Sequence, residues 1–278
     1  MDLKKYEKNV TSQWGEDGII EEIFNRIGEG NKTCVEFGAW DGKYLSNCWN
    51  LWHNNRWKAI LIEGEKDRVE NLKKDLKNFP NVTPVLRFVT INGENSLDNI
   101  LDEVNQKETI DLLSIDIDSD DYAIFESLKR KPRVVIIEYN PTIPPHIDLV
   151  QKSGHNLGNS VSSTYKLALK KGYKLAYLTY TNLVLVAEEE WNKLNIKEVD
   201  HYKAFPYEKL TYVINTYQGD TLLSQPMPFN GAYMESSKIG VKTFVKQRFL
   251  NDKNKKELPD FDSNANIVHC KIAKNDIS

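Results

Sequence analysis

Four polar residues follow two apolar runs of the sequence, and their side chains could together bind a positive charge. Asp116 and Asp118 end the run DLLSIDID, and Glu138 and Asn140 end the run RVVIIEYN. Because Asp116 and Asp118 are two residues apart, they point to the same face of a strand. If the runs form neighbouring parallel strands, all four converge on a hard cation or on the ammonium group of a cofactor. Oxygen ligands favour Mg²⁺, Ca²⁺ or Mn²⁺ over zinc.

The same acidic stretch has a structural alternative. Asp118 and Asp120 could cap the predicted helix DDYAIFESLKRK, and acids such as Asp121 stabilise the N-terminus of a helix. A calcium-binding EF-hand loop that starts at Asp116 is excluded. The positions that require glycine and glutamate hold Asp121 and Ser127 instead.

A glycine-containing turn, EFGAWDG (residues 36–42), follows the first apolar run. Gly38 and Gly42 give the spacing G-x-x-x-G, which lacks the middle glycine of the dinucleotide-binding fingerprint. Glu36 and Asp41 place negative charge where a pyrophosphate would lie. The turn therefore favours a cofactor with a cationic centre and an ammonium group, which bare glycine backbone lets approach closely. A tight strand-to-helix turn without a ligand is the alternative.

Glu63 ends the second apolar run in the motif LIEGE. An acid about 20 residues beyond the glycine turn of such a fold accepts hydrogen bonds from the hydroxyls of a ribose. Gly64 leaves room for the adenosine. A solvent-facing glutamate at the end of a strand is the alternative interpretation.

Two histidines lie in the long segment PTIPPHIDLVQKSGHNLGNS (residues 141–160) after the fifth run. This segment would overhang the acidic residues, so either His146 or His155 could act as a general base. Exposed loop histidines without a chemical role are the alternative.

The elements that must position these residues follow from five apolar runs that alternate with helical segments. The predicted strands are residues 32–37, 57–63, 82–89, 111–117 and 133–139. Their nearly continuous apolar character is typical of strands buried on both faces of a parallel sheet. The predicted helices are residues 16–28, 67–79, 96–104, the segment DDYAIFESLKRK, and residues 160–172. This alternation predicts a doubly wound α/β fold.

The end of the sequence departs from this alternation. The segment YKLAYLTYTNLVLVAEE (residues 173–189) predicts two strands around Tyr180-Thr181-Asn182, and so short a loop permits only an antiparallel pair. Beyond residue 190 the pattern stops. We expect an appendage or lid over residues 191–250 and a polar, loosely ordered tail over residues 251–278.

Composition narrows the class of protein. The chain has 278 residues, of which 40% are hydrophobic and 28% charged, as is typical of a soluble globular protein. A formal net charge of −3 disfavours a nucleic-acid partner. We expect no signal peptide and no membrane span, because the apolar runs are too short. Three cysteines without a CxxC pair indicate a reducing, cytoplasmic compartment. A homo-oligomer is left open.

The order of these motifs resembles the S-adenosylmethionine-dependent methyltransferase superfamily, and more closely its FkbM-like branch. The resembling stretches span residues 12–187 and are SQWGEDGII, VEFGAWDGKYLSN, LIEGE, LLSIDIDSDDY, VVIIEYNPTIPP, LALKKGYKLAY and TNLVLV. The resemblance implies a Rossmann-like, mostly parallel seven-stranded sheet with a terminal antiparallel hairpin. It also implies a methyltransferase domain over residues 1–190. Substrates of this branch are often sugars, glycans or natural products.

The resemblance implies roles for individual residues. Gly38 and Gly42 would line the methionine portion of the cofactor, and Glu63 would hold its ribose. Asp116 would lie at the amino-acid end of the cofactor or on a metal. Further polar contacts would come from Gln13 and Asn47.

Metal-dependent relatives carry two acids and an asparagine at the ends of strands four and five. This sequence offers Asp116 or Asp118, Glu138 and Asn140, with Glu138 in place of the more usual aspartate. The metal that the resemblance implies is therefore left open.

The expected function is methyl transfer from S-adenosylmethionine to a hydroxyl of a sugar, sugar nucleotide or glycan, by in-line displacement. The catalytic candidates are Asp116, Asp118 and His146. A divalent cation such as Mg²⁺ could assist. One alternative is a metal-dependent nucleotide-sugar glycosyltransferase that uses Asp116-Ile117-Asp118. Another is a non-catalytic binding module with the same fold.

Overall fold

A computed structural model of the chain describes residues 2–215, 217 and 221–223. The described residues fall into two compact units, divided after Pro206. The first unit contains a seven-stranded sheet. Its strands are β1 (Thr33–Phe37), β2 (Lys58–Glu63), β3 (Val82–Leu86), β4 (Leu112–Ile115), β5 (Val134–Glu138), β6 (Tyr173–Leu178) and β7 (Asn182–Ala187).

The strand order across the sheet is β3-β2-β1-β4-β5-β7-β6. The first five strands pair in parallel, whereas β7 runs antiparallel to both β5 and β6. Every residue of β1, β4 and β7 is buried, in agreement with strands covered on both faces. The predicted fold, a Rossmann-like, mostly parallel sheet with a terminal antiparallel hairpin, is confirmed.

Seven α-helices and a π-helical turn accompany the strands in the part of the chain that the structure describes. The α-helices are α1 (Glu16–Ile27), α2 (Lys66–Asp75), α3 (Leu97–Glu103), α4 (Asp121–Ser127), α5 (Val161–Lys170), α6 (Glu188–Leu194) and α7 (His201–Ala204); the π-helical turn covers Asn50–Asn54. Helix α1 shows why its sequence folds this way. Its apolar residues recur at helical spacing and are buried, and it ends at Gly28, whose φ of 83° breaks the helical geometry.

The first compact unit continues beyond the predicted boundary at residue 190. Helix α6 spans that position, and Leu194 is fully buried in the hydrophobic core that also contains Ile19 and Ile23. The second unit contains a short antiparallel pair, β8 (Val213–Asn215) and β9 (Thr221–Leu223). The predicted tail, residues 251–278, and residues 224–250 of the predicted appendage lie outside the described residues. None of the described helices is long and apolar enough to cross a membrane.

Candidate active site

The glycine turn after β1 lies against the carboxyl end of β4. The backbone N–H groups of Gly38 and Ala39 donate to the carbonyl of Ile62 at 3.1 and 3.2 Å. Gly38 has a φ of 78°, and a Cβ there would lie 1.9 Å from the carbonyl oxygen of Asp116. Only glycine therefore allows the ends of β1 and β4 to approach this closely.

The other two glycines singled out from the sequence make room for side chains of this chain. A Cβ at Gly42 would lie 2.8 Å from a methyl carbon of Leu72 on α2. A Cβ at Gly64 would lie 2.6 Å from the ring of Phe88. These contacts give both glycines a packing reason, and their contact with a cofactor stays a prediction.

Glu63, at the end of β2, is buried and reaches back to the glycine turn. Its Oε2 accepts a hydrogen bond from the backbone N–H of Trp40 at 2.9 Å, and its Oε1 accepts one from Glu65 at 2.9 Å. The Arg68 guanidinium lies 3.6 Å from Oε1 and stacks 3.7 Å from the centre of the Trp40 ring. Each carboxylate oxygen has two lone pairs, so both can still accept a ligand hydroxyl.

Glu36 is buried beneath the turn and holds the loop that follows it. Its carboxylate accepts from the hydroxyl of Ser46 at 2.5 Å and from the backbone N–H of Asn47 at 2.9 Å. Burial raises the pKa of Glu36 to about 7, although these hydrogen bonds favour the charged form. Asn47 is also buried and donates to the hydroxyl of Ser114 on β4. Both residues are thus engaged within the protein.

Two other predicted cofactor contacts lie at the surface. The carboxylate of Asp41 accepts from the backbone N–H groups of Lys43 and Tyr44, which closes the turn on itself. Gln13 is exposed, and its carbonyl accepts from the side chain of Asn9.

Three of the predicted metal or catalytic residues converge at the ends of β4 and β5. Carboxylate oxygens of Asp116, Asp118 and Glu138 all lie within 4.8 Å of one another. Asp118 adopts a φ of 58°, and Asp121 fixes this loop by accepting from the backbone N–H groups of Ile117 and Ser119. We call Asp116, Asp118 and Glu138 the acidic cluster.

Burial and mutual repulsion destabilise the charged forms of Asp116 and Glu138 in the acidic cluster and raise their pKa values. Burial among the surrounding chain, together with the nearby charges of Asp121 and Asp118, raises the pKa of Asp116 to about 8. Burial and the charge of Asp116 raise the pKa of Glu138 well above its usual range. The side chain of Asp116 nevertheless contacts solvent, so a ligand can reach it.

Basic side chains do not neutralise the acidic cluster in the described part of the chain. The ion pairs among residues 2–212 involve other acids, and none joins a lysine or arginine to Asp116, Asp118 or Glu138. Three carboxylates this close repel one another unless protons or a cation lie between them. The arrangement can therefore bind a cation, or hold protons near neutral pH.

The remaining predicted site residues lie in the segment after β5. Asn140 uses its amide oxygen to accept from Thr142 and its amide nitrogen to donate to the carbonyl of Leu157. His146 and His155 are both exposed. Asp120 does not cap α4 with its side chain but accepts from Ser153 and Gly154 of the same segment. The roles of Asn140 and His146 stay predictions.

Sequence reasoning missed two buried acids that shape this edge. Glu16 accepts from the hydroxyl of Thr179 and the amide of Asn182 in the β6–β7 turn. Asp17 accepts from three backbone N–H groups of residues 10–12, and its second oxygen has no hydrogen-bond partner among the described residues. Acids in the first turn of a helix usually stabilise it from the surface, so the motif GED gave no signal of their burial.

Comparison with known proteins gives structural likeness only. Neither a protein-family model nor a curated protein matches the sequence. Similar solved structures include the N-terminal domain of EvdMO1 with SAH and D-fucose (10% identity, 62% of this chain, 82% of that chain, TM-score 0.42). They also include a SAM dependent methyltransferase from Aquifex aeolicus (13% identity, 66% of this chain, 95% of that chain, TM-score 0.38). A third is M. capricolum TrmK with S-adenosyl-homocysteine (18% identity, 60% of this chain, 65% of that chain, TM-score 0.35). At these identities and TM-scores the likeness carries no argument about activity.

Proposed function

We propose that the chain is an S-adenosylmethionine-dependent methyltransferase that methylates a hydroxyl of a sugar, sugar nucleotide or glycan. The observation that carries the proposal is the acidic cluster, which lies beside the bare backbone of Gly38 and has no basic partner among the described residues. A site of this charge favours a cationic ligand and disfavours a pyrophosphate.

The strength of this preference follows from Coulomb's law. At an effective dielectric constant of about 20, two unit charges about 4 Å apart interact by about 4 kcal/mol. S-adenosylmethionine carries an ammonium group, a sulfonium centre and one carboxylate, so its net charge is +1 and carboxylates placed beside the ammonium group or the sulfonium stabilise it. The negatively charged pyrophosphate of a dinucleotide would be repelled by the same carboxylates with a Coulomb energy of similar size. The FkbM-like assignment and the cytoplasmic location remain expectations from the sequence.

The residues at the ends of β1, β2 and β4 fit the parts of this cofactor. Glu63 would accept hydrogen bonds from the ribose hydroxyls through the lone pairs that Trp40 and Glu65 leave open. Asp116 would bind the ammonium group. When bound, S-adenosylmethionine supplies an electrophilic methyl group, and the role of the chain is to place the acceptor hydroxyl opposite to it.

The acceptor must lose a proton, and the acidic cluster is suited to take it. A general base works best when its pKa lies near the operating pH, and burial together with nearby acids raises the pKa of Asp116 to about 8. His146 is the proposed alternative base. Asp116, Asp118 and Glu138 would also be suitable ligands for Mg²⁺ or Mn²⁺. Such an ion, when bound, would lower the pKa of the acceptor hydroxyl.

Calorimetry with S-adenosylmethionine and S-adenosylhomocysteine tests the proposal directly. Charge-assisted hydrogen bonds contribute about 1.5–3 kcal/mol, so Glu63→Gln should lower the affinity for S-adenosylhomocysteine about 10- to 100-fold. Glu70→Gln, on the exposed face of α2, is the matched control and should leave it unchanged. The absence of heat with either compound in the unaltered protein contradicts the proposal.

A second experiment tests turnover and identifies the acceptor. Nucleotide sugars and oligosaccharides are incubated with S-adenosylmethionine, and mass spectrometry detects the gain of one methyl group. Asp116→Asn should lower turnover at least about 100-fold, because a neutral amide neither holds the ammonium nor accepts the proton. Tight binding of S-adenosylhomocysteine without turnover on any acceptor would favour a binding module.

The acidic cluster also gives the glycosyltransferase alternative one supporting observation. Asp116 and Asp118 form a D-x-D motif whose oxygens lie close enough to hold a divalent ion against a diphosphate. Calorimetry with UDP in the presence and absence of Mg²⁺ distinguishes the two. Binding of UDP that depends on Mg²⁺, without binding of S-adenosylhomocysteine, would favour glycosyl transfer.

A further inference from the structure

The six tryptophans of the first compact unit differ in exposure, and Trp49 and Trp191 are half-buried against the hydrophobic core. Trp52 and Trp57 are buried in the hydrophobic core, with 4% and 1% of their surface exposed. Trp14 and Trp40 are 38% and 48% exposed. Tryptophan is enriched at binding surfaces, so an exposed indole that lies beside a charged site is a candidate recognition residue.

The buried Glu16 and the side chain of Asn9 hold the backbone at Trp14 and Gly15. Its backbone N–H donates to Oε2 of Glu16 at 2.7 Å, and the N–H of Gly15 donates to the side chain of Asn9 at 2.5 Å. Gly15 has a φ of 95°, and a Cβ there would lie 2.8 Å from the side chain of Glu7. The loop therefore presents Trp14 in a fixed position, which lowers the entropy cost of binding a ligand to it.

Trp14 lies beside the hairpin turn that borders the acidic cluster. Its ring meets the ring of Tyr180 edge-to-face, with centroids 4.9 Å apart. Glu16 binds Thr179 and Asn182 on either side of Tyr180, and Asn182 pairs with Glu138 in the sheet. The backbone N–H of Tyr139 donates to the carbonyl of Thr181 at 2.7 Å. Trp14 and Tyr180 thus lie next to the end of β5, where Glu138 belongs to the acidic cluster.

We propose that Trp14 and Tyr180 form the acceptor subsite, in which the Trp14 indole stacks on the apolar face of a sugar ring and Tyr180, edge-to-face with the indole, flanks the sugar. This inference rests on the proposed function and names the part of the acceptor that the chain recognises. A pyranose has one face of C–H groups, which packs on an aromatic ring, and a rim of hydroxyls, which donate to carboxylates. The aromatic pair beside Glu138 offers both surfaces together.

The same geometry favours a ring that carries many hydroxyls over a phenol. Glu138 of the acidic cluster pairs in the sheet with Asn182, close to Tyr180 in the hairpin turn, so carboxylate oxygens lie on this side of the aromatic pair. Hydrogen-bond acceptors in that position suit a ring that carries hydroxyls around its rim. Methylation of phenols but not of sugars would overturn the inference.

Tryptophan fluorescence tests the subsite without requiring turnover. The protein, saturated with S-adenosylhomocysteine, is titrated with a panel of UDP-hexoses, methyl glycosides and cello- and malto-oligosaccharides. At least one sugar should change the emission, and this change should vanish in Trp14→Phe. It should persist in Trp191→Phe, which removes an indole of α6. A panel that leaves the emission unchanged, or a change that survives in Trp14→Phe, overturns the inference.

The acceptor found by mass spectrometry gives a second, kinetic test. Trp14→Ala should raise KM for the sugar about tenfold, and Trp14→Phe should recover part of this loss because it keeps an aromatic face. The affinity for S-adenosylhomocysteine, measured by calorimetry, should change less than about twofold. A parallel loss of cofactor affinity would show that Trp14 only supports the fold. Failure of the unaltered protein to bind S-adenosylhomocysteine concerns the proposed function instead.

Discussion

We call the side of the sheet where the parallel strands begin its amino edge, and the side where they end its carboxyl edge. Asp111 at the amino edge and the acidic cluster at the carboxyl edge have opposite surroundings. At the amino edge Asp111 is fully buried, yet it accepts from the backbone N–H of Thr33 and pairs with Arg133 at 2.8 Å. Arg133 also pairs with Glu190 and donates to the carbonyls of Ile27 and Gly28. At the carboxyl edge the acidic cluster has no basic partner among the described residues.

This difference distinguishes buried acids that stabilise the fold from acids whose partner would be a ligand. Where a buried carboxylate has only a structural role, a guanidinium and hydrogen bonds offset the free energy of desolvating it, as at Asp111. Carboxylates left to repel one another destabilise the protein, so they are informative about function. We therefore expect substitutions at the amino edge to reduce stability and substitutions at the carboxyl edge to reduce activity.

The largest expected effect is on stability at the amino edge. Arg133→Met leaves Asp111 buried without its partner, and breaking a buried ion pair costs about 3–5 kcal/mol. Chemical denaturation measures this loss as a lower free energy of unfolding. Lys58→Met is the control, because its pair with Glu108 lies at the surface and contributes less than about 1 kcal/mol.

The opposite edge sharpens this test. Asp116→Asn replaces a carboxyl group whose charged form is destabilised by burial and by its acidic neighbours, so its free energy of unfolding should not fall although its turnover does. If Asp116→Asn destabilised the protein as much as Arg133→Met, the contrast between the two edges would be wrong.

A smaller loss of stability is expected at Gly38. An alanine there meets the carbonyl oxygen of Asp116 and must also adopt a positive φ, so Gly38→Ala should cost about 2–4 kcal/mol. At Gly93, φ is also positive but a Cβ would have open space around it. Gly93→Ala should therefore cost only the backbone penalty of about 1 kcal/mol. Equal losses for the two variants, measured by thermal or chemical unfolding, would contradict the close approach of β1 and β4.

The smallest expected effect is a pH dependence of stability. Burial raises the pKa of Glu36 to about 7, above the ordinary value that it regains in the unfolded chain. Between about pH 5 and 7 the folded chain keeps a proton that the unfolded chain has lost, so the free energy of unfolding falls as pH rises. The slope is at most about 1.4 kcal/mol per pH unit for one group.

Glu36→Gln removes this group, and its unfolding free energy should depend less on pH over that range. Chemical denaturation at several pH values measures the slope, and Glu70→Gln serves as the exposed control. Identical slopes in the unaltered protein and Glu36→Gln would show that Glu36 is ionised in the folded chain.

Local patterns were sufficient to predict most of the sheet. The apolar runs became β1, β2, β4 and β5 because such residues are stable only where both faces are covered. Residues 82–89 formed a shorter strand, Val82–Leu86, which is the outermost strand on one side of the sheet. Because this strand pairs only with β2, it tolerates Pro84, which cannot donate a backbone hydrogen bond.

The candidate site was less predictable, because its contacts join distant parts of the chain. The sequence correctly placed Asp116, Asp118 and Glu138 at neighbouring strand ends, but the reason differs from strand alternation: β4 ends at Ile115, and Asp118 lies in the following loop with a φ of 58°. The burial of Glu16 and the place of Trp14 depended on Asn182 and Tyr180, which no local pattern connects to the first helix. Packing decides such contacts, and a single sequence does not record it.

The bond between Glu16 and Asn182 also bears on how the protein is made. These residues are 166 positions apart, so the loop that carries Trp14 gains its anchor only after the last strand of the sheet has left the ribosome. A nascent chain that ends before β7 lacks this anchor. Ligand capture should therefore begin late in synthesis, once nearly all of the first compact unit has emerged.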